Sequence, residues 1–388
     1  MPVTPRRILF INYEYPPVGA GGGNATRHIA REMARAGHQP YVLTAAQGDL
    51  PRVENDGGVT VRRIAALRQR RDRSSVPEMA AFMGAAMLAA PGLARQWKID
   101  AVIAFFTLPS GPAAWLLKRT NRLPYVIALR GGDVPGFDPA TMKGYHTLTG
   151  PVISALWRDA DAVIANSEGL AEMARRHDQR RTIGVIPQGA DVAGIAPKTE
   201  YPLRTTVELL AVGRLAKHKA LEVLLEALSR LPGEPAWRLT IVGDGPERAD
   251  LAARAARLNI SARVVFRGWV GRDALPPIYR AADIFVLPSR EEGMANVLME
   301  AMSAGLPVIA TRIAGSSEGV IDGETGLLAP PDDAQHLAGA LETMIGDAAR
   351  REAFGRAGRA RVERAYAWPI IAEAWLDMVD RILQNKHT

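Results

Sequence analysis

Short apolar runs alternate with longer segments of helical periodicity along the whole chain, and the alternation occurs twice. In the first half, run 8–13 precedes a helical pattern over 26–36, then Gly37 where a helix C-cap belongs, then a second run at 39–44. Further strand candidates are 59–64, 101–105, 125–129, 162–166 and 183–186. The second half repeats this with strands at 207–212, 238–242, 264–266, 284–287 and 308–311, and helices near 218–231, 246–258, 273–281, 295–304 and 333–346. Runs that are apolar on both faces belong in a parallel sheet covered by helices on each side. The expected fold class is α/β, two doubly wound Rossmann-like domains, with ligands at the carboxyl ends of the strands in a cleft between them.

A length of 388 residues suits two domains. Segment 196–206, APKTEYPLRTT, has two prolines and no apolar periodicity, so it is read as the linker. The first domain is then 1–195 and the second 196–366. Residues 367–388 carry a helical apolar stripe through Ile371, Trp375, Met378, Val379 and Ile382. They form a packed terminal helix, and a return to the first domain is open.

With 47% hydrophobic and 23% charged residues, the chain is neither disordered nor fibrous. The absence of cysteine excludes disulfides, a thiolate nucleophile and sulfur-ligated zinc, and suits a reducing, cytoplasmic setting. No secretion signal is expected, and the uncharged stretch 79–94, interrupted by Pro91, falls short of the ~20 residues that span a bilayer. The net charge of +7 is uneven: residues 1–195 carry 24 basic and 16 acidic side chains, residues 196–388 carry 24 and 25. One domain alone therefore calls for an anionic partner: nucleic acid, an anionic membrane face or a phosphorylated substrate.

The sharpest motif is Ser289-Arg-Glu-Glu-Gly-Met-Ala-Asn-Val-Leu-Met-Glu300, just after strand 284–287 and opening a helix. The N–H groups of Met294, Ala295, Asn296 and Val297 would point at a ligand from the helix N-terminus, which suits a phosphate or a sugar. Glu292 and Glu300, eight residues apart, can face the same side. The plainer alternative makes Ser289 and Glu292 a capping box and Glu300 a solvated helix residue. After strand 207–212 comes Gly213-Arg214-Leu215-Ala-Lys-His-Lys219. An arginine fork and a lysine point charge there could neutralise a diphosphate without a metal. As a mere basic helix start they would oppose the helix dipole. The third motif, Gly19-Ala-Gly-Gly-Gly23, lets backbone approach a pyrophosphate but lacks both the Walker ending and the GxGxxG spacing, and also reads as a flexible loop.

Taken together, these pieces resemble the retaining glycosyltransferases of family 4, group 1, whose two-Rossmann-domain fold is called GT-B. The resemblance is carried by Gly21-Gly22-Gly23, Ile186-Pro-Gln-Gly189-Ala-Asp191, Gly213-Arg214-Leu215 with Lys219, Val242-Gly-Asp-Gly-Pro246, and Pro288-Ser289 through Glu300-Ala301 with Gly305-Leu-Pro-Val308. It implies an acceptor-binding first domain and a nucleotide-sugar-binding second domain. Arg214 and Lys219, with Gly213, would hold the donor diphosphate, and Gly22 and Gly23 would approach it from the opposite domain. Glu300 would take the ribose hydroxyls. Glu292, with the N–H groups of Met294, Ala295 and Asn296, would lie at the sugar ring. The implied reaction is front-face displacement with retention, with Arg214, Lys219 and Glu292 as catalytic groups, no covalent nucleophile, no cofactor and no metal.

Two departures stand out. Arg130-Gly-Gly-Asp133 occupies the place where many members carry a histidine before glycine, so Arg130 is a donor-contact candidate of open role. Ala220 replaces the usual glycine after the lysine. Asp159-Ala-Asp161 formally matches a metal signature but precedes a strand, and is read as a helix-to-strand turn. The basic run Arg68–Arg73 beside the apolar stretch 79–93 either docks on anionic lipid, as a lipid-linked or cell-envelope glycan acceptor would require, or is an exposed loop beside a core helix. Nucleic acid is not expected as a partner, because aromatic interleaving is missing. A sugar phosphorylase, a nucleotide-sugar epimerase and a catalytically silent sugar-nucleotide-binding subunit stay open beside the transferase.

Overall fold

The computed structural model describes residues 4–19, 21–71, 74–137, 139–202, 205–233 and 236–384. The chain divides into two compact units, Met1–Gln188 with Trp368–Thr388, and Gly189–Ala367.

In the first unit the strands are β1 (Arg7–Ile11), β2 (Gln39–Ala45), β3 (Val53–Asp56), β4 (Val59–Ile64), β5 (Ala101–Phe105), β6 (Tyr125–Ala128), β7 (Ala162–Ala165) and β8 (Gly184–Val185). They lie in the order β3-β4-β2-β1-β5-β6-β7-β8, and pair in parallel except for the β3–β4 hairpin. The helices are α1 (Gly21–Arg35), α2 (Val76–Trp97), α3 (Thr107–Asn121), α4 (Pro139–Asp159) and α5 (Glu168–His177). Alternation along β1 builds both layers: Leu9 and Ile11 join the core that holds Phe82 of α2 and Leu117 of α3. Ile8 and Phe10 join Ile29 of α1 and Trp375 of the terminal helix Trp368–Gln384.

In the second unit β9 (Thr206–Val212), β10 (Ala236–Val242), β11 (Val264–Gly268), β12 (Ile284–Leu287), β13 (Val308–Thr311) and β14 (Gly326–Ala329) form a parallel sheet in the order β11-β10-β9-β12-β13-β14. Its helices are α6 (Leu221–Ser229), α7 (Arg248–Arg257), α8 (Leu275–Ala281), α9 (Asn296–Ser303), α10 (Ala314–Gly319), α11 (Ala334–Gly346) and α12 (Ala348–Ala365). In each sheet the order doubles back beside the first strand of the unit, at β1/β5 and at β9/β12, which marks the strand ends where ligands bind in doubly wound folds.

Compactness divides the chain at 188/189 rather than at the expected 195/196. The proline-bearing segment after residue 195 is anchored in the second unit. Buried Lys198 pairs with Asp283 at 2.8 Å, Tyr201 Oη donates to Gly305 O at 2.6 Å, and Arg359 of α12 donates to Ile195 O and Val192 O. Removing the Tyr201 hydroxyl leaves Gly305 O without that donor. Tyr201→Phe is therefore expected to lower stability by about 1 kcal/mol, read by urea unfolding at unchanged slope.

Two further expectations change. The glycine motif is not a free loop: Gly21–Gly23 form the first turn of α1. Arg68 is not on the surface: its guanidinium is buried and donates to Tyr13 O, Arg70 O and Arg71 O, and Gly19 N donates to Arg71 O at 2.7 Å. Asp72 and Arg73 of that run, and Ala20 of the glycine motif, lie outside the described residues.

Candidate active site

In the second unit, β9 and β12 run side by side, so the loops that leave them meet. A small cavity at these strand ends is lined by Gly213, Arg214, Lys219, Leu221, Leu287 and Pro288. Lys219 ends a single 3-10 turn, Lys217–Lys219, instead of opening the α-helix expected from 218. Ala220 follows in the left-handed region at φ +48, the conformation the usual glycine there would adopt freely.

Lys219 Nζ donates to Glu292 Oε1, and Ser289 Oγ donates to the same oxygen at 2.8 Å. Both ionic side chains are largely buried, 15% and 12% exposed, so their attraction is only weakly screened. Arg290 ties the two loops together: its N–H donates to His218 O at 2.8 Å, its Nη1 to Lys217 O at 2.5 Å and its Nη2 to Glu222 of α6 at 2.7 Å. Asp332 and Glu222 hold the Arg290 guanidinium above its ordinary pKa. Behind Glu292 the backbone is fixed by close approach, since a Cβ at Gly315 would lie 1.4 Å from Gly293 O. Arg214, by contrast, is exposed, and its guanidinium has no partner among the described residues.

The capping-box alternative does not hold. α9 begins at Asn296 with Ala295 as its cap and no side-chain cap bond, well beyond Ser289 and Glu292. Met294 and Ala295 are buried in the approach to that helix, whose first N–H groups lack intrahelical acceptors. Nor is Glu300 solvated: it is 9% exposed, and Tyr279 Oη of α8 donates to its Oε2 at 2.8 Å. Tyr279 and Ser289 are site residues that the motif reading did not assign. Ser289 stood inside a quoted motif as a possible cap, whereas Tyr279 had no motif around it.

In the first unit, the protein itself crowds two of the glycines. A Cβ on Gly22 would lie 2.6 Å from the Phe106 ring, and one on Gly23 would lie 3.2 Å from the backbone of Glu14. Phe106 is held at φ +68 after β5, and its ring packs on Tyr13 at 5.2 Å. Tyr13 is pushed above its ordinary pKa by burial and by neighbouring Glu14. Arg130 follows β6; its guanidinium lies 4.3 Å over the Phe105 ring and donates to Gln188 Oε1 at 2.9 Å.

The Asp159/Asp161 pair is occupied by cations: Lys118 pairs with Asp161 at 3.0 Å and Arg119 with Asp159 at 2.5 Å, while Asp161 Oδ2 accepts Tyr125 N–H. It is the turn between α4 and β7. Among the described residues no group of three or more His, Asp or Glu is arranged to hold a metal ion.

Residues 206–347 match the family described as glycosyl transferases group 1, and residues 19–193 match glycosyltransferase family 4. The chain is 32% identical to a glycogen synthase of Mycobacterium tuberculosis, over 95% of this chain and 93% of that one. It is 31% identical to a D-inositol 3-phosphate glycosyltransferase of Kineococcus radiotolerans, over 95% and 92%. Among solved structures it is similar to a sucrose-phosphate synthase of Thermosynechococcus elongatus, with TM-score 0.83, 26% identity and coverage of 98% and 100%.

Proposed function

Since the chain belongs to the group 1, family 4 glycosyltransferases and has their GT-B fold, we propose that it moves a sugar from a UDP- or GDP-sugar to an acceptor hydroxyl with retention and without a metal. The observation that carries this reading is the joining of Lys219, Glu292 and Ser289 beside an unpartnered Arg214, at the ends of β9 and β12. Arg214 and Lys219 supply two positive charges where the leaving diphosphate gathers negative charge. Preorganised charge of that kind lowers the barrier in the way an oxyanion hole does. Glu292 and the N–H groups of Met294, Ala295 and Asn296 orient the sugar hydroxyls, and Glu300, steadied by Tyr279, takes the ribose hydroxyls.

The acceptor oxygen forms its bond to the anomeric carbon on the face from which the diphosphate departs, and the acceptor proton passes to the leaving phosphate oxygen. Proton NMR of the product should show the anomeric configuration of the donor; the opposite configuration would overturn retention. Activity should persist in EDTA.

For the acceptor, we propose a glycan or lipid-linked hydroxyl presented at the cytoplasmic face of a membrane. α2 supports this. It is a 22-residue apolar helix with 17% of its most apolar window buried, it exposes Val76 and Leu88, and exposed Arg70 and Arg71 precede it. An apolar face flanked by arginines suits an anionic lipid surface. Vesicles containing anionic lipid should carry the protein in flotation at low salt and release it at high salt. No retention at low salt removes the membrane from the proposal.

A further inference from the structure

We propose that Arg130 and Gln188 form, in the first unit, a recognition subsite for an anionic group of the sugar substrate, a phosphate or a carboxylate distinct from the nucleotide diphosphate. The argument is an accounting of partners. Asp133, the nearest carboxylate in sequence, is already engaged by the backbone. Its Oδ1 accepts the N–H groups of Arg130 and Gly131 at 2.9 and 3.1 Å, and its Oδ2 accepts Thr107 N–H at 2.9 Å and Thr107 Oγ1 at 3.3 Å. The Arg130 guanidinium makes no ion pair among the described residues. Its partners are the neutral amide oxygen of Gln188 and the face of Phe105.

What is left over has one chemical character. Arg130 Nε and Gln188 Nε2 are buried N–H donors with no partner, and Gln188 is 3% exposed. A largely desolvated cation that makes no ion pair is costly: burial of the guanidinium pushes Arg130 down to about 10, with the nearby Asp133 charge opposing. Two free N–H donors beside a positive charge complement a group that only accepts hydrogen bonds and is negative. Both free groups are donors, so a group carrying several acceptor lone pairs and a negative charge answers them better than a single hydroxyl. Asn166 follows β7, the strand between β6 and β8, and its buried Oδ1 is also unpartnered. It suits a sugar hydroxyl next to the anionic group. Unpaired polar groups gathered at strand ends are what a binding site retains at the expense of stability.

The inference rests on the transferase reading only for the substrate being a sugar. The test is isothermal titration of glucose 6-phosphate, glucuronate and glucose into the full chain, into Arg130→Gln and Arg130→Lys, and into Arg214→Ala. At least one anionic sugar should bind the wild type and Arg214→Ala alike, and roughly 10- to 100-fold more weakly to both Arg130 variants, while glucose binds none. Which anionic sugar binds separates a phosphate from a carboxylate ligand. Arg130→Gln should melt at or above the wild-type temperature, because it removes a desolvated charge that makes no ion pair. Affinity lost in Arg214→Ala but kept in Arg130→Gln, glucose bound as well as the anionic sugars, or no binding at all would each overturn the subsite. So would a fall of several degrees in melting temperature with binding unchanged. UDP and GDP titrated into the same proteins keep the two readings apart: nucleotide binding without anionic-sugar binding rejects the subsite alone, and the converse rejects the donor site alone.

Discussion

Glu292→Ala is expected to lower turnover by roughly 10²- to 10³-fold, the range that follows from removing one preorganised group from a site of developing charge. The nucleoside diphosphate should bind no more weakly than to the wild type. Glu292 shares its Oε1 between Lys219 and Ser289, so its loss frees Lys219 for phosphate while depriving the sugar ring of its carboxylate. Steady-state kinetics should show the loss in kcat, with nucleotide affinity, measured by titration, equal or tighter. A variant that keeps its turnover would remove Glu292 from the chemistry. One that loses nucleotide affinity in proportion would make it part of the diphosphate site instead.

Glu300→Ala should act in the opposite way. In the proposed role a largely buried carboxylate accepts two ribose hydroxyls through charged hydrogen bonds of about 1.5–3 kcal/mol each, so the UDP or GDP dissociation constant should rise by roughly 10²- to 10⁴-fold. Inorganic pyrophosphate, which has no ribose, should bind as before. Tyr279→Phe keeps the carboxylate but removes the donor that orients it, and should give a smaller rise in the same direction. Equal weakening of pyrophosphate and nucleotide in Glu300→Ala would contradict the ribose role and point to a disturbed sheet edge.

Much of this arrangement is legible in the sequence, because strands buried on both faces and their helices leave strong local signals. β4, β5, β12 and β13 have the expected limits, and the other anticipated strands differ by one or two residues at an end. β3 escapes because it is a short, half-exposed polar edge strand. α12, with its many arginines, two glycines and a weak apolar stripe, shows no periodicity to read, yet it carries the Arg359 that binds segment 192–195. That contact, with Lys198–Asp283 and Tyr201–Gly305, joins residues far apart in the chain, so a segment that looks like a linker is part of the second unit.

The same limit applies at the site. The spacing of Glu292 and Glu300 is visible, but the Lys219–Glu292 pair spans two motifs, and nothing around Tyr279 announces its bond to Glu300. Arg68 reads as a surface charge because a basic run usually is one. Only the carbonyls of Tyr13, Arg70 and Arg71, gathered by the fold, turn it inward. The glycines at 21–23 are visible in the sequence, but the Phe106 ring that packs against Gly22 is not.

The central claim, a metal-independent nucleoside-diphosphate site in the second unit, is tested most directly by thermal unfolding with UDP, with GDP and with NAD, each with and without EDTA, in the wild type and Glu300→Ala. A ligand at ~100 times its dissociation constant adds about 2.7 kcal/mol, several degrees for domains of this size. The account predicts a shift with one nucleoside diphosphate that survives EDTA, is small or absent with NAD, and is largely lost in Glu300→Ala. A shift that requires a divalent metal, or no shift with either nucleoside diphosphate, would contradict it.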